Sequence, residues 1–260
     1  MILLDPLAHP VVGHRGNRAH APENTIPSLL EAVALGVDAV EFDLHVSQDG
    51  VLVLMHDPTV DRTTDGTGLV SALPLEALRE LDAGSRFTPD GTARPWRGRG
   101  AGVPTFDEVI EALPRTLPLI IELKTAAAAP LLRDAVARHN LGARIIVAGF
   151  DPESTRPLRG GGYALGASTR DVAALLPASL LRRPIRAPWF QALCIPPVYR
   201  GIPVPIGSLV RATQPHGVVT HVWTVNAPAR AARLWRRGVN GIISDDPAAI
   251  LAGRAHALFR

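Results

Sequence analysis

The sequence predicts a (β/α)8 TIM barrel of the α/β class, with a small insertion after its second barrel strand. Short β-rich runs alternate with helix-like stretches along most of the chain, which is the signature of parallel βα units. Eight such pairs are present, and that number favours a closed barrel over an open doubly wound sheet. The length of 260 residues is that of one barrel, so residues 1–260 are expected to form a single domain.

The candidate strands are VVGHRG (11–16), AVEFDLHV (39–46), LPLIIELK (117–124), RIIVAGF (144–150), YALGAST (163–169), ALCIPP (192–197), VVTHVWTVN (218–226) and GIISDDP (241–247). Most are short apolar runs bounded by polar, Gly or Pro residues. Helices are expected at 25–35, 105–113, 130–139, 152–159, 171–181, 207–215, 227–237 and 247–258. Asn24 or Thr25 caps the first of them, with Glu23 bracing the loop beneath the strand ends. Thr105 and Glu108 open the second with a capping box. One segment, HVSQDGVLVLMHD (45–57), breaks the alternation. Its two apolar runs are separated by a polar turn containing Asp49-Gly50, a hairpin signal, so the second run is antiparallel and is not a barrel strand. From there to residue 103 the chain is rich in Gly, Thr, Arg and Pro, with one short helical piece, LPLEALREL (73–81). Residues 47–103 are therefore expected to form an insertion perched on the barrel.

Charged residues make up 20% of the chain and hydrophobic ones 47%, as in an ordinary globular protein. The net charge of +3 comes mainly from arginines spread along the chain. No basic block is interleaved with aromatics, which argues against a nucleic-acid partner. Cys194 is the only cysteine, which excludes an internal disulfide and a cysteine-rich metal site and fits a reducing compartment. It is expected to be a small buried residue. The opening MILLDPLAHPVVG has neither the basic start nor the long apolar core of a signal peptide, and no run reaches the roughly 18 apolar residues of a membrane span. A cytoplasmic location is expected.

In a β/α barrel the C-terminal strand ends hold the active site whatever the chemistry. Here those ends carry His14 and Arg15, Glu41 and Asp43, Glu122 and Lys124, Trp223 and Asn226, and Asp245. Glu41 and Asp43 are two apart and so share one face, the barrel interior if Phe42 and Leu44 face the helices. A two-residue turn at Asp49-Gly50 pairs residues whose numbers sum to about 99, which sets His56 opposite Asp43, within a residue of register. Glu122 on the next barrel strand adds a third carboxylate. Three oxygen donors without cysteine suit a hard divalent cation, Mg²⁺ or Ca²⁺. Arg15 and Lys124 bring positive charge to the same rim and suit an anionic, phosphate-bearing substrate. Two histidines, a metal and a basic pair together point to acid–base cleavage of a phosphoester.

Taken singly, His14 fits a hydrogen-bonded core histidine, Glu122 and Lys124 a strand salt bridge, and Trp223 a core filler. Their convergence on one rim is what favours a site. His9, His139, His216, His221 and His256 show no such convergence and are read as structural or exposed, with His45 and His20 as candidate rim residues.

The segments GHRG (13–16), APENTIPSLLEAVALGVDAVEFDLHVSQDGVLVLMHDPTVDRTTDGTG (21–68), IELK (121–124), HVWTVN (221–226) and GVNGIISDDP (238–247) closely resemble, in order and spacing, the glycerophosphodiester phosphodiesterase family. The resemblance covers almost the whole chain and is strongest from 11 to 68. It implies a hydrolase of small glycerophosphodiesters that releases glycerol 3-phosphate and an alcohol. It also implies a metal held by Glu41, Asp43 and Glu122, acid–base catalysis by His14 and His56, and a cyclic phosphate intermediate. Arg15 and Lys124 match phosphate-contacting positions, and Trp223 an apolar wall of the substrate pocket. Gly149-Phe150 and ALCIPPVYRG (192–201) depart from the family pattern, on the side of the pocket that selects the alcohol. The residues alone also allow direct attack by water. Rival readings are a phospholipase D of the spider-toxin type, a lysophospholipase D, and a barrel that binds without catalysis.

Overall fold

The computed structural model describes the backbone of residues 1–258 and the side chains of residues 1–254, so the side chain of His256 lies outside the described residues. Its strands are β1 (Val11–His14), β2 (Ala39–Val46), β3 (Leu52–Leu54), β4 (Leu119–Leu123), β5 (Ile145–Ala148), β6 (Ala164–Leu165), β7 (Ala192–Ile195), β8 (Val198–Tyr199), β9 (Ile202–Pro203), β10 (Val219–Val222) and β11 (Gly241–Ser244). Its α-helices are α1 (Ile26–Ala34), α2 (Leu75–Arg79), α3 (Phe106–Ala112), α4 (Ala128–Arg138), α5 (Pro152–Thr155), α6 (Thr169–Leu180), α7 (Ile206–Thr213), α8 (Pro228–Trp235) and α9 (Pro247–Leu258). Eight strands run parallel in the order β6-β5-β4-β2-β1-β11-β10-β7. A parallel bridge between Gly166 and Ala192 draws the two ends together, giving the nearly closed barrel that the alternation predicts.

The period of two along each strand sorts its side chains. Outward residues such as Val40, Phe42 and Leu44 of β2 pack with Ile121 of β4 against helix residues such as Leu29 and Leu132. Inward residues Val12, Ala39, Ile120, Ile146, Val219 and Ile243 form a layer inside the barrel, closed by Leu3. Two residues further along β1, β2, β4 and β7, the inward positions are His14, Glu41, Glu122 and Cys194, and all four line a cavity. The residues that carry chemistry are thus the layer stacked directly on the apolar plug.

Thr105 and Glu108 form the expected capping box at α3, and Thr25, not Asn24, caps α1. The stretch 152–159 divides into α5 and a 3-10 turn, Arg156–Leu158. Strand β6 is shorter than predicted because Ser168 turns the chain into the capping box of α6. Between β2 and α3 the chain folds over its own apolar cluster, including Val53, Met55, Val60, Val70, Leu78 and Val103. Strand β3 is antiparallel to β2 with Leu44 facing Leu54 and Val46 facing Leu52. Residue numbers therefore sum to 98, one less than a two-residue turn gives. The loop has three residues, with Ser47 N–H donating to the Val51 carbonyl at 2.9 Å and Gly50 in the left-handed region at φ 82°, the usual geometry of a three-residue hairpin. Met55, not His56, consequently stands opposite Asp43, with its N–H on the Asp43 carbonyl at 3.2 Å.

Candidate active site

The turn after β1 delivers the first two residues. Arg15 and Gly16 both have positive φ, 53° and 92°, so the chain doubles back as soon as His14 is placed. A Cβ on Gly16 would lie 2.4 Å from the Ser28 backbone, so only glycine lets the loop pass this close to α1. Ser28 Oγ donates to the Arg15 carbonyl at 3.0 Å, and the Arg15 N–H donates to Glu41 Oε2 at 3.1 Å.

Glu41, Asp43 and Glu122 offer carboxylate oxygens that all lie within 4.8 Å of one another. Their neighbourhood follows from register, since His14 pairs with Glu41 and Asp43 with Glu122. Burial, then the adjacent Asp43 carboxylate, raises the pKa of Glu41 well above the ordinary range. The same two causes push Glu122 up to about 7. Burial also opposes ionisation of Asp43, but Lys124 and Arg15 outweigh it and hold Asp43 below its usual range. Lys124 Nζ lies 2.9 Å and Arg15 Nε 3.1 Å from the Asp43 oxygens, yet Asp43 Oδ1 and Arg15 Nε lack hydrogen-bond geometry. The other Asp43 oxygen accepts from Asn24 Nδ2 at 2.9 Å. Lys124 also donates to Glu122.

His14 and His56 are each held by a carboxylate on the same ring nitrogen. His14 Nδ1 is 2.6 Å from Asp245 Oδ1, and His56 Nδ1 is 2.7 Å from Asp57 Oδ1. A carboxylate accepts, so Nδ1 carries the proton and Nε2 is left as the base. Burial lowers the pKa of both rings below the ordinary histidine value, against the pull of those carboxylates. Asp57 is in turn held at about 2, chiefly by its bond from Arg62. Arg62 reaches on to Glu23 at 2.8 Å, and Glu23 also accepts from Arg15 at 2.6 Å and Arg18 at 2.8 Å. Arg18 also donates to Asp245 at 3.2 Å, which ties the two histidines and Arg15 into one charged frame.

The cavity they face has a volume of about 690 Å³, and His14, Arg15, Glu41, His45, His56, Glu122, Lys124 and Trp223 all line it. Asp43 lies beneath, 1% exposed. His45 reaches the cavity, whereas His20 points away, its side chain 56% exposed and 3.7 Å from Asp246. Cys194, expected to be buried, is half-buried on the cavity wall, and burial raises its thiol to about 12. Three supporting contacts carry no signal in the local sequence: Asp245 behind His14, Asp57 behind His56, and Asn24 on Asp43. A signal for a fourth feature was present in composition. Lys124 is the only lysine of the chain, whose 27 basic residues are otherwise arginines.

The sequence profile of the glycerophosphoryl diester phosphodiesterase family matches residues 14–154 and 183–249. The chain belongs to that family. A glycerophosphodiester phosphodiesterase of Caldanaerobacter subterraneus is 32% identical over 253 residues, covering 93% of this chain and 96% of the relative. One from Bacillus subtilis is 29% identical, covering 94% of this chain and 86% of its own. A glycerophosphoryl diester phosphodiesterase domain of an uncharacterized Mycobacterium tuberculosis protein superposes with a TM-score of 0.82 at 22% identity, over 96% of this chain and 99% of that one. A phosphodiesterase of Oleispira antarctica, solved with its product sn-glycerol 3-phosphate, superposes with a TM-score of 0.74 at 26% identity, over 95% and 97%. Family membership fixes the enzyme class of this barrel as a phosphodiesterase. Among the described residues no helix is long and apolar enough to cross a membrane.

Proposed function

We infer that this phosphodiesterase hydrolyses small glycerophosphodiesters to glycerol 3-phosphate and an alcohol, in one unit spanning residues 1–260 with the segment 47–103 inserted over the barrel mouth. The observation that carries this is the pair of carboxylate-braced histidines facing one cavity with Arg15 and Lys124. The product bound to the Oleispira relative supports the choice of diester, and a single cysteine supports action in a reducing, cytoplasmic setting.

Glu41, Asp43 and Glu122 are the residues that would hold a divalent cation. They fit one: the donors are all oxygen, as Mg²⁺ and Ca²⁺ prefer, and they lie within 4.8 Å of one another, where burial and then the adjacent Asp43 carboxylate raise the pKa values of Glu41 and Glu122. When bound, the cation would supply charge neutralisation at the phosphate oxygens. Arg15 and Lys124 orient the same phosphate, and Trp223 walls the cavity beside it. His14 Nε2 removes the proton of the glycerol hydroxyl next to the phosphate, and that oxygen attacks phosphorus. His56, in its imidazolium form with a proton on Nε2 as well as on Nδ1, gives the Nε2 proton to the departing alcohol oxygen as the P–O bond breaks. Water, losing a proton to His56, then opens the cyclic phosphate, and His14 returns its proton to the glycerol oxygen.

Two measurements test this reading. Glycerophosphocholine should yield glycerol 3-phosphate, and exhaustive chelation should abolish the yield until Mg²⁺ or Ca²⁺ is restored; full activity after chelation would remove the cation from the account. An analogue lacking the glycerol hydroxyl beside the phosphate should bind yet hardly turn over, because an internal nucleophile enjoys an effective molarity of about 10⁵ M or more. Cleavage of the analogue at the parent rate would replace internal attack by attack of water.

A further inference from the structure

A separate cavity of about 630 Å³ lies on the outer wall of the barrel, and its described lining residues are all different from those of the catalytic cavity. Arg211 lines it from α7, and Arg230, Arg233, Arg236 and Arg237 line it from α8 and the turn that ends α8. Five of the 27 basic residues thus meet in one place, and without them the net charge of +3 would be −2. Exposed arginines in other parts of the surface have partners: Arg79 pairs with Glu108, Arg138 with Asp107 and Arg156 with Glu153. Among the described residues none of these five forms an ion pair, and no acidic side chain lines the cavity.

The arrangement is repulsive as it stands. Arg230 and Arg233 are neighbours on one turn of α8 and Arg237 follows four positions later, so like charges stack along one side of the helix. Arg230 also stands in the first turn of α8, which contains no acidic residue, where the helix dipole disfavours a cation. Arg211 belongs to the last turn of α7, where a cation is favoured, but its guanidinium folds back to the first turn. There it donates to Ser208 Oγ at 3.0 Å and lies over Gly207, where a Cβ would stand 3.6 Å from its Nη1. An anion between the two helices would turn this repulsion into attraction.

A guanidinium fork matches the oxygens of phosphate, which it can grip bidentately. The row from Arg230 to Arg237 covers seven residues, about 10 Å at the helical rise, which is longer than a single phosphate. Among the described residues no aromatic side chain lines the cavity, so a nucleic-acid base would find nothing to stack on. The concave shape suits a small molecule better than a flat bilayer surface.

We propose that this cavity between α7 and α8 binds a small soluble anion carrying two or more phosphate groups, at a site separate from the one that cleaves the diester.

The test titrates the full chain, as purified and at low ionic strength, with inorganic phosphate, pyrophosphate and tripolyphosphate by calorimetry. Tripolyphosphate should bind about tenfold or more tightly than inorganic phosphate. Arg15 and Lys124 of the catalytic cavity also attract phosphate, so variants locate the site. Arg230→Gln combined with Arg233→Gln should weaken tripolyphosphate binding about tenfold or more, and Arg211→Gln, on the opposite wall, should weaken it in the same direction. Arg183→Gln combined with Arg186→Gln removes the same charge from an exposed stretch outside the cavity and should leave binding nearly unchanged. Any exchange with metal at the catalytic site is common to all these proteins and drops out of the comparison, and circular dichroism melting shows that each is folded. Parent-like affinity in the cavity variants, an equal loss in the charge-matched control, or tripolyphosphate bound no more tightly than phosphate would overturn the site. Sedimentation with phosphatidic acid vesicles in the absence of tripolyphosphate binding would also overturn it, in favour of a membrane surface.

Discussion

His14 Nδ1 and Asp245 Oδ1 lie 2.6 Å apart across 231 positions of sequence, joining the end of β1 to the residue after β11. The bond sets the tautomer that leaves Nε2 facing the cavity. Asp245 is also held by Arg18, which donates to Oδ1 at 3.2 Å, and by Asn226, which donates to Oδ2 at 3.2 Å and accepts from the Asp245 N–H at 2.9 Å. Asp245→Asn would keep the shape and disturb the tautomer. It should lower kcat by about 10²-fold or more while changing KM little, and it should displace the limb of the pH–rate profile that reports His14. Steady-state kinetics across pH checks this; a variant with the parent kcat and profile would mean that Asp245 does not position the ring.

Lys124 is the one basic position of the chain that is not arginine, and its Nζ lies 2.9 Å from Asp43 on a side chain only 13% exposed. An ammonium is a compact point charge, whereas a guanidinium is a wide planar fork. Lys124→Arg should therefore lower kcat/KM about tenfold or more although the charge is kept, a loss comparable to removing one preorganised donor. Circular dichroism and melting curves would show whether the fold is retained. A fully active variant would show that only the charge matters.

Much of this was legible in the sequence because two periodicities were. Alternation of strand and helix patterns marked all eight barrel strands, the period of two put Glu41 with Asp43, and the strand ends brought His14 and Glu122 to the same rim. Turn chemistry was less legible: Asp49-Gly50 reads as a two-residue hairpin, but Gly50 is the left-handed third residue of a longer loop, which shifts the register by one. Partners that come from distant sequence left no local trace. Nothing in the residues around Asn24 says that its side chain turns from capping α1 to bracing Asp43, because that choice depends on β2 arriving beside it.

His221 is fully buried, donating through Nε2 to the Leu3 carbonyl at 2.9 Å, and Gly241 leaves room for its other nitrogen, since a Cβ there would lie 2.0 Å from Nδ1. Burial lowers its pKa to about 4, below the roughly 6.5 of an unfolded histidine. The unfolded chain thus binds a proton that the folded one refuses. Its contribution to stability is complete above pH 6.5 and is lost as pH falls towards 4, by about 2 kcal/mol on reaching pH 5. His14, His45 and His56, also lowered by burial, add to the slope with the same sign. Urea unfolding at pH 7 and pH 5 should show this loss, and His221→Asn should show less of it. Equal losses in the two proteins would remove His221 from the explanation.

In the proposed mechanism His14 and His56 move protons while the three carboxylates hold the cation, and kcat measured together with bound metal for His14→Ala and His56→Ala separates the two roles. Each variant should lose about 10²- to 10⁴-fold in kcat on glycerophosphocholine while elemental analysis finds as much divalent metal as in the parent protein. A variant that turns over at the parent rate, or one that purifies without metal, would contradict the division of roles between the histidines and Glu41, Asp43 and Glu122.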